Sequence, residues 1–291
     1  MSTSEFLIPI RDYDLAATLD SGQAFRWQRE GTVWTGVIGH RWVRLRAMET
    51  GIHAETFAPE TEWQWLTHYF QSEVDLTAVI NTFPVDQPMQ SALAACQGLR
   101  LLRQDPWECL ASFMLSSTKQ IVQIRQIIAL LCERHGMVIG SHHNGTPVFA
   151  FPTTAQIARL SEAELRACKM GFRAPNVLAA ARQIEQGQMD LERVRALPLA
   201  EARAELMKFR GVGGKIADCV LLFAYGFNAA FPVDVWIKKA LQELYFTRRR
   251  ASEKRLQRFA ATYFGVHGGY AQQYLFHYMR TKHAGVDKNS R

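Results

Sequence analysis

The stretch Phe209–Val220, FRGVGGKIADCV, decides how the rest of the chain is read. Glycines at 211, 213 and 214 make a tight turn, and Lys215 then opens an apolar run that reads as a buried helix. A lysine in the first turn of a helix faces the positive end of the dipole, which costs about 0.3–1 kcal/mol. Either it is a surface lysine in an ordinary helix–helix turn, or something negative lies close by. Glycine lets the backbone take φ > 0 and approach a neighbour without a Cβ in the way. Successive turn amides leading into a helix N-terminus form an anion site, and phosphate is its natural occupant. The preceding EARAELMKF, residues 201–209, reads as the first helix of a pair. Such a hairpin grips a nucleic-acid backbone without reading sequence. The bare G-x-G-G-K lacks the spacing of a Walker A loop.

Downstream, FPVDVWIKKALQELY places Asp234 directly before a new helical pattern, 19 residues after Lys215. One short helix and a return loop would bring the carboxylate back towards the amine. A cap position suits an ionised Asp, because helix-end amides and the dipole lower its pKa. The plainer alternative is an Asp that only caps its helix.

The composition fits a nucleic-acid partner. The 291 residues suggest about two domains. At 48% hydrophobic and 21% charged, the chain can bury a large core. Its net charge is +7, from 34 Lys and Arg against 27 Asp and Glu, and a basic surface calls for an anionic partner. No apolar run reaches the roughly 18 residues that span a bilayer, so no membrane association is expected. MSTSEFLIPIRDYD lacks the charged-then-apolar order of a signal peptide. The reading is therefore an intracellular protein, in the cytoplasm or nucleoid of a bacterium or the nucleus of a eukaryote. Cys96, Cys109, Cys132, Cys168 and Cys219 fit no zinc or iron–sulfur spacing and read as reduced, mostly buried thiols.

Along the chain, the first third differs from the rest. Between Ala24 and Phe57, Trp27, Trp34, Val37, Trp42, Val43 and Leu45 alternate with turn signals at Gly31, Gly39-His40 and Thr50-Gly51. This spacing predicts an antiparallel meander covered on one face. TEWQWLTHYF then starts a helical pattern, and from about residue 87 the chain reads as helices and short loops. In RQDPWECLASFMLSS, Asp105 is the N-cap, Pro106 the first helical residue, and Glu108 completes a capping box. KQIVQIRQIIALLCERHG follows as a helix closed by Gly136. Further helical patterns cover about 153–168, 173–186, 198–209, 214–225, 235–246, 252–264 and 270–281. GSHHNGTPV is a polar loop whose His142 and His143 have no third metal ligand in view. TRRRASEKRLQR, residues 247–258, reads as a solvated basic helix face.

With the lysine, the glycine turn and the aspartate in place, Leu206–Trp236 resembles the helix–hairpin–helix motif and "G/P-V-D" loop of the base-excision DNA glycosylases. Within that superfamily, GLRLLRQDPWECLASFMLSS (98–117) and SGQAFRW (21–27) resemble one branch, the 8-oxoguanine DNA glycosylases. The likeness runs from about Ser21 to Met279. The iron–sulfur branch is excluded, since no cysteine lies beyond Cys219. The resemblance implies an α+β, predominantly α fold: an N-terminal antiparallel sheet domain with flanking helices (1–100), then a helical region (101–291) of two subdomains. The hairpin occupies 206–225 and the catalytic loop 231–236.

The resemblance also implies a reaction. Lys215 attacks C1′ of the damaged nucleotide and Asp234 assists. A glycosidic bond breaks through a cationic, oxocarbenium-like sugar, which a fixed carboxylate stabilises. The amine must be neutral to attack, and desolvation against Ile216, Cys219 and Val220 would favour that form. The Schiff base acidifies the C2′ hydrogen, so β-elimination nicks the strand. Cys219, four residues after Lys215 on the same helix face, and Phe276 would sandwich the everted base. Gln272 would bond its Watson–Crick edge, and the Gly22 carbonyl would accept the N7–H that the oxidised base has and guanine lacks. That hydrogen bond and the opposing lone-pair repulsion could discriminate by about 2–4 kcal/mol. Gly211, Gly213, Gly214 and Ile216 would hold the DNA backbone.

The chain departs from the family pattern around the opposite base. The gap-filling Asn run of the eukaryotic form is Thr118, Lys119 and Gln120 here; Gln123 stands where an Arg contacts the orphaned cytosine; Phe172 replaces the Tyr wedge, and Arg173 is kept. Discrimination of the opposite base should therefore weaken. The phosphate-contacting His of the catalytic loop is Trp236. The family implies no organic cofactor and no catalytic metal, a monomer acting on double-stranded DNA containing oxidised guanine, and a monovalent cation on the carbonyls of Met207, Phe209 and Val212. Two alternatives stay open: a glycosylase of the same fold for another damaged purine, alkylated or oxidised, and a non-catalytic DNA-binding module. Monofunctional alkylation enzymes of this fold generally lack the hairpin lysine.

Overall fold

The computed structural model describes residues 2–117, 120–142 and 144–288. Its first part is a five-stranded antiparallel sheet of β1 (Thr3–Pro9), β2 (Gln28–Glu30), β3 (Val33–Ile38), β4 (Arg41–Met48) and β5 (Gly51–Phe57), in the order β1-β5-β4-β3-β2. The β2–β5 meander lies where the alternation predicts it, with Trp34 opposite Leu45 and both buried. Helices α1 (Leu15–Asp20) and α2 (Gln64–Phe70) help cover the apolar face. There Leu19, Trp27, Val43, Leu45, Leu66 and Phe70 are almost wholly buried, each contributing about 1.5–3 kcal/mol. The edge strand β1 was not signalled by the sequence. Its exposure alternates from Ser4 to Pro9 but only Ile8 is fully buried, and its pairing partner lies some fifty residues away.

The second, larger core is helical. It contains α3 (Leu76–Ile80), α4 (Gln87–Ala95), α5 (Pro106–Met114), α6 (Ile121–His135), α7 (Thr154–Ala158), α8 (Glu162–Ala167), α9 (Ala174–Glu185) and α10 (Leu191–Val194). It continues through α11 (Leu199–Leu206), α12 (Gly214–Val220), α13 (Val235–Leu244), α14 (Glu253–Tyr263) and α15 (Gly268–Lys288). Helix α5 is buried nearly all round, as its run of apolar residues requires, and packs against α12. Phe113 stacks on Phe223 with centroids 5.6 Å apart. Beyond Val220 the α12 axis continues as a π-helical turn, Leu221–Tyr225, ended by Gly226. The segment between α4 and α5 joins the two cores: Leu101 enters the helical core and Leu102 the sheet core.

Three local predictions need correction. GSHHNGTPV is not simply a loop. Val138–Ser141 (β6) and Pro147–Phe149 (β7) form a hairpin, and Asn144-Gly145, with Gly145 at φ +82°, belongs to its connection. The 153–168 pattern is two helices, because Ser161 and Glu164 form a capping box that starts α8. At α5, Asp105 accepts the Glu108 amide at 2.8 Å, but Glu108 does not reach back. It turns inward to Arg26, 3.6 Å away, and burial pushes its pKa up to about 7 against that guanidinium. All five cysteines are free and buried. Among the described residues, no helix is long and apolar enough to cross a membrane, and no cluster of His, Cys, Asp and Glu is placed to hold a metal.

Candidate active site

A cavity of about 900 Å³ opens between the end of α5, the starts of α6, α12 and α13, the middle of α15 and the turn at Ser21-Gly22. Lys215 and Asp234 both line it, as do Gly22, Cys219, Gln272 and Phe276. The fold thus gathers six of the residues singled out from sequence around one space.

Lys215 is the second residue of α12, which begins after Gly213 without a side-chain cap. Its Nζ donates to Ser116 Oγ at 2.8 Å and lies 5.5 Å from the Phe113 ring centroid. Ser116 Oγ in turn donates to the Phe113 carbonyl at 2.7 Å, so its lone pairs face the amine. The Phe113 ring thus gives the amine an apolar neighbour, while Val220 is fully buried away from the cavity.

Asp234 caps α13 from an extended backbone (φ −93°, ψ −172°), and its Oδ1 accepts the Ile237 amide at 2.8 Å. The cap is as predicted, but its electrostatic consequence is reversed. Burial raises the Asp234 pKa; the Ile237 amide, Lys215, the Trp236 amide and Arg280 oppose it without cancelling it. Desolvation of this carboxylate outweighs its helix-end amides. Cys219 is pushed up to about 12 by burial and is a neutral thiol.

The wall opposite the lysine is held with unusual redundancy. Gly22 sits at φ +77°, and a Cβ there would come 2.9 Å from Ile121 Cδ1. The adjacent Gln23 is fully buried, donating to the carbonyls of Thr18 and Arg100 and accepting the Leu102 amide at 2.7 Å. Gln273 Nε2 donates to the Ser21 carbonyl at 2.9 Å, and Arg280 Nη1 to that of Asp20 at 3.0 Å. Arg280 also lies over the Phe276 ring at 5.4 Å. Gln272 is 4% exposed, and its Oε1 has no hydrogen-bond partner, a buried acceptor waiting for a donor.

Ser116, Gln23, Gln273 and Arg280 were not picked out from sequence. Ser116 carried only a weak signal, its place in the SS pair that ends the α5 stretch. Gln23 lay inside SGQAFRW beside the chosen Gly22. Gln273 and Arg280 follow the helical spacing of α15 around Phe276 and could have been found by it.

Of the hairpin glycines, only Gly211 takes positive φ, +85°, where a Cβ would collide with Asn176. Gly213 and Gly214 do not, against the prediction, yet a Cβ on either would meet only open space, leaving their amides approachable. Ile216 is buried to 5% exposure and lines the cavity. Among the proposed cation carbonyls, that of Phe209 accepts the Val212 amide at 3.0 Å, leaving a lone pair for a hard cation.

The residues around the opposite-base position are less tidily placed. Thr118 and Lys119 lie outside the described residues, as does His143. Gln123 is spent locally, its Oε1 accepting the Gln120 amide at 3.1 Å at the start of α6. Phe172 is 63% exposed, whereas Arg173 is buried with its guanidinium 4.3 Å from the Phe172 ring centroid. Neither Gln123, Phe172 nor Arg173 lines the cavity. Trp236 does line it, tilted against His283 with centroids 5.8 Å apart.

An amine and a carboxylate share one cavity beside a glycine hairpin, the arrangement expected of a DNA glycosylase, and comparison with known proteins gives the family. Residues 5–110 match the 8-oxoguanine DNA glycosylase N-terminal domain, and residues 111–264 match the HhH-GPD superfamily of base-excision DNA repair proteins. The chain belongs to that superfamily, in its 8-oxoguanine DNA glycosylase branch. A probable N-glycosylase/DNA lyase of Methanothermobacter thermautotrophicus is 28% identical, over 94% of this chain and 95% of that protein. The structure of MBOgg1 in complex with a low-affinity DNA ligand is 31% identical, with TM-score 0.90 over 97% of both chains. The Clostridium acetobutylicum 8-oxoguanine glycosylase/lyase, solved with double-stranded DNA containing cytosine opposite 8-oxoguanine, is 30% identical. Its TM-score is 0.88, over 97% of this chain and 99% of that one.

Proposed function

We propose that this chain is a bifunctional DNA glycosylase and abasic-site lyase that excises 8-oxoguanine from duplex DNA inside the cell. The observation that carries the reading is the presence of the Lys215 amine and the Asp234 carboxylate on one cavity large enough for a nucleoside. Eversion of the base costs a few kcal/mol of unstacking and unpairing. Cys219 and Phe276 would then sandwich it, the orphaned Oε1 of Gln272 would take a donor from its edge, and the Gly22 carbonyl would accept N7–H.

As the C1′–N9 bond breaks, positive charge grows on the sugar and the Asp234 carboxylate stabilises it. The Lys215 nitrogen, as free amine, bonds to C1′. Ring opening gives an imine, loss of the C2′ proton follows, and the 3′ phosphate leaves as the strand breaks. Ser116 holds the amine over Phe113 and so fixes its direction of attack. The hairpin amides of Gly211, Gly213, Gly214 and Ile216 would grip the phosphodiester chain, with Phe172 as the wedge and Thr118, Gln123 and Arg173 around the opposite base. The carbonyls of Met207, Phe209 and Val212 would hold a monovalent cation behind the hairpin; no chemical step needs it.

The test is a duplex with a single 8-oxoguanine, read for base release and strand scission, with and without borohydride. Wild type should give both products and a trapped covalent adduct, and Lys215→Gln no adduct. A full adduct yield from the glutamine variant would remove the nucleophile. Release of alkylated purines in preference to 8-oxoguanine would reassign the substrate.

A further inference from the structure

Of the run at residues 247–258 only Glu253 reaches the cavity, and the setting of its basic residues is informative. We propose that Arg248, Arg249, Arg250, Lys254, Arg255 and Arg258 form a second grip on the phosphates of duplex DNA flanking the lesion. This rests on the reading that the chain acts on duplex DNA, and extends it to a surface that nothing above uses.

All six side chains are exposed. The stretch holds a single acid, Glu253, and its carboxylate is taken by Lys238 at 2.7 Å. None of the six is paired with a carboxylate among the described residues; Arg255 only rests over the Phe246 ring, 5.1 Å from its centroid. On α14, Leu256 and Ala260 are buried, and Lys254, Arg255 and Arg258 stand three and four apart on the opposite side. Like charges at that spacing repel one another, so the helix carries a cost that a polyanion would remove. Five of the six are arginines, whose planar fork matches phosphate oxygens better than an ammonium does.

Position favours DNA over other polyanions. Glu253 and Lys238 line the rim of the lysine cavity, so the ridge starts where an everted nucleotide would enter. Arg250 and Arg248 stand three and five residues before Glu253, within about 11 and 18 Å at ~3.5 Å per residue. A duplex rises ~3.4 Å per base pair, so the ridge reaches phosphates within about five base pairs on one side of the lesion.

The test uses the full chain and a fluorescent duplex of about 25 base pairs with a central stable abasic analogue, titrated at several salt concentrations. The triple variant Arg248→Gln/Arg249→Gln/Arg250→Gln should lower the slope of log Kd against log salt by about 2 to 3, at about 0.9 per phosphate lost. Two further duplexes are cut back to about one base pair on one arm or the other, which removes the phosphates within the ridge's reach on that side. Removing one arm should reproduce the slope loss in wild type and leave the variant unchanged; removing the other should not. The corresponding triple lysine variant should keep the wild-type slope.

An unchanged slope in the glutamine variant overturns the proposal. So does an equal loss with either arm, which marks a general charge effect, or a loss in the lysine variant, which marks damage to the fold. Weakened binding of single-stranded RNA with duplex affinity intact reassigns the ridge and also overturns it. The abasic analogue carries no base, so a failure to excise 8-oxoguanine would sink the substrate reading without touching this result.

Discussion

Replacing Asp234 by asparagine separates two roles that the structure superimposes. As an N-cap, Asp234 accepts the Ile237 amide at 2.8 Å, and asparagine caps about as well as aspartate. The helix start is retained and the charge is lost. A carboxylate about 4 Å from a unit positive charge is worth about 4 kcal/mol at an effective dielectric near 20. The sugar carries only part of that charge in the transition state, so a loss of about 10²–10³ in the single-turnover excision rate is expected.

Stability should move the other way. Burial holds the Asp234 pKa above its ordinary 3.8. An acid raised in the folded state contributes stability below its unfolded pKa and loses it as pH rises through the folded value. Asparagine loses nothing over that window. Asp234→Asn should therefore melt at or above wild type at pH 7–8, the two converging towards acid. Asp234→Ala also gives up the cap, about 1 kcal/mol, and should melt roughly 2 °C below the asparagine variant. Excision rates by denaturing gel and melting curves from pH 4 to 8 decide the matter. An asparagine variant that excises within about tenfold of wild type, or melts well below it at neutral pH, refutes the reasoning.

Three other outcomes follow from the geometry. Ser116→Ala should slow single-turnover excision about tenfold, because the 2.8 Å hydrogen bond that orients the amine is lost. Ser116→Thr should restore the rate, and a defect confined to KM would contradict a positioning role. With Gln123 occupied at its own helix start and Arg173 buried, excision opposite A or G, relative to C, should fall less steeply than in eukaryotic members of the family. Matched single-turnover assays giving an equal or steeper preference for C would refute this. Burial puts Glu108 at about 7, so folded-state stability should decline as pH rises from about 4.5 to 7; Glu108→Gln should flatten that slope in melting curves, whatever its effect on absolute stability.

What could be read from sequence was what the chain encodes locally. The Gly211–Lys215 turn, the Asp234 cap and the β2–β5 meander each depend on neighbours a few residues away, and each lies where its pattern puts it. What escaped depends on residues far off in sequence. Ser116 meets Lys215 across 99 positions. Glu108 abandons its capping box for Arg26, and strand β1 exists only through its pairing with β5. The Asp234 pKa was misjudged for the same reason: its amides are local, whereas its burial is the work of the whole cavity. The β6–β7 hairpin is a different failure, since Asn144-Gly145 is a local turn signal that the reading of GSHHNGTPV as a polar loop passes over.

The clasp between α15 and the Ser21-Gly22 turn sets when this enzyme can become competent. Its hydrogen bonds join residues 252 and 260 positions apart, which makes them among the most costly loops the chain has to close. During synthesis Lys215 emerges from the ribosome before the helix that carries Gln272 and Phe276. In the proposed scheme damage recognition is therefore assembled last, and a nascent chain would hold its nucleophile before its means of choosing a target.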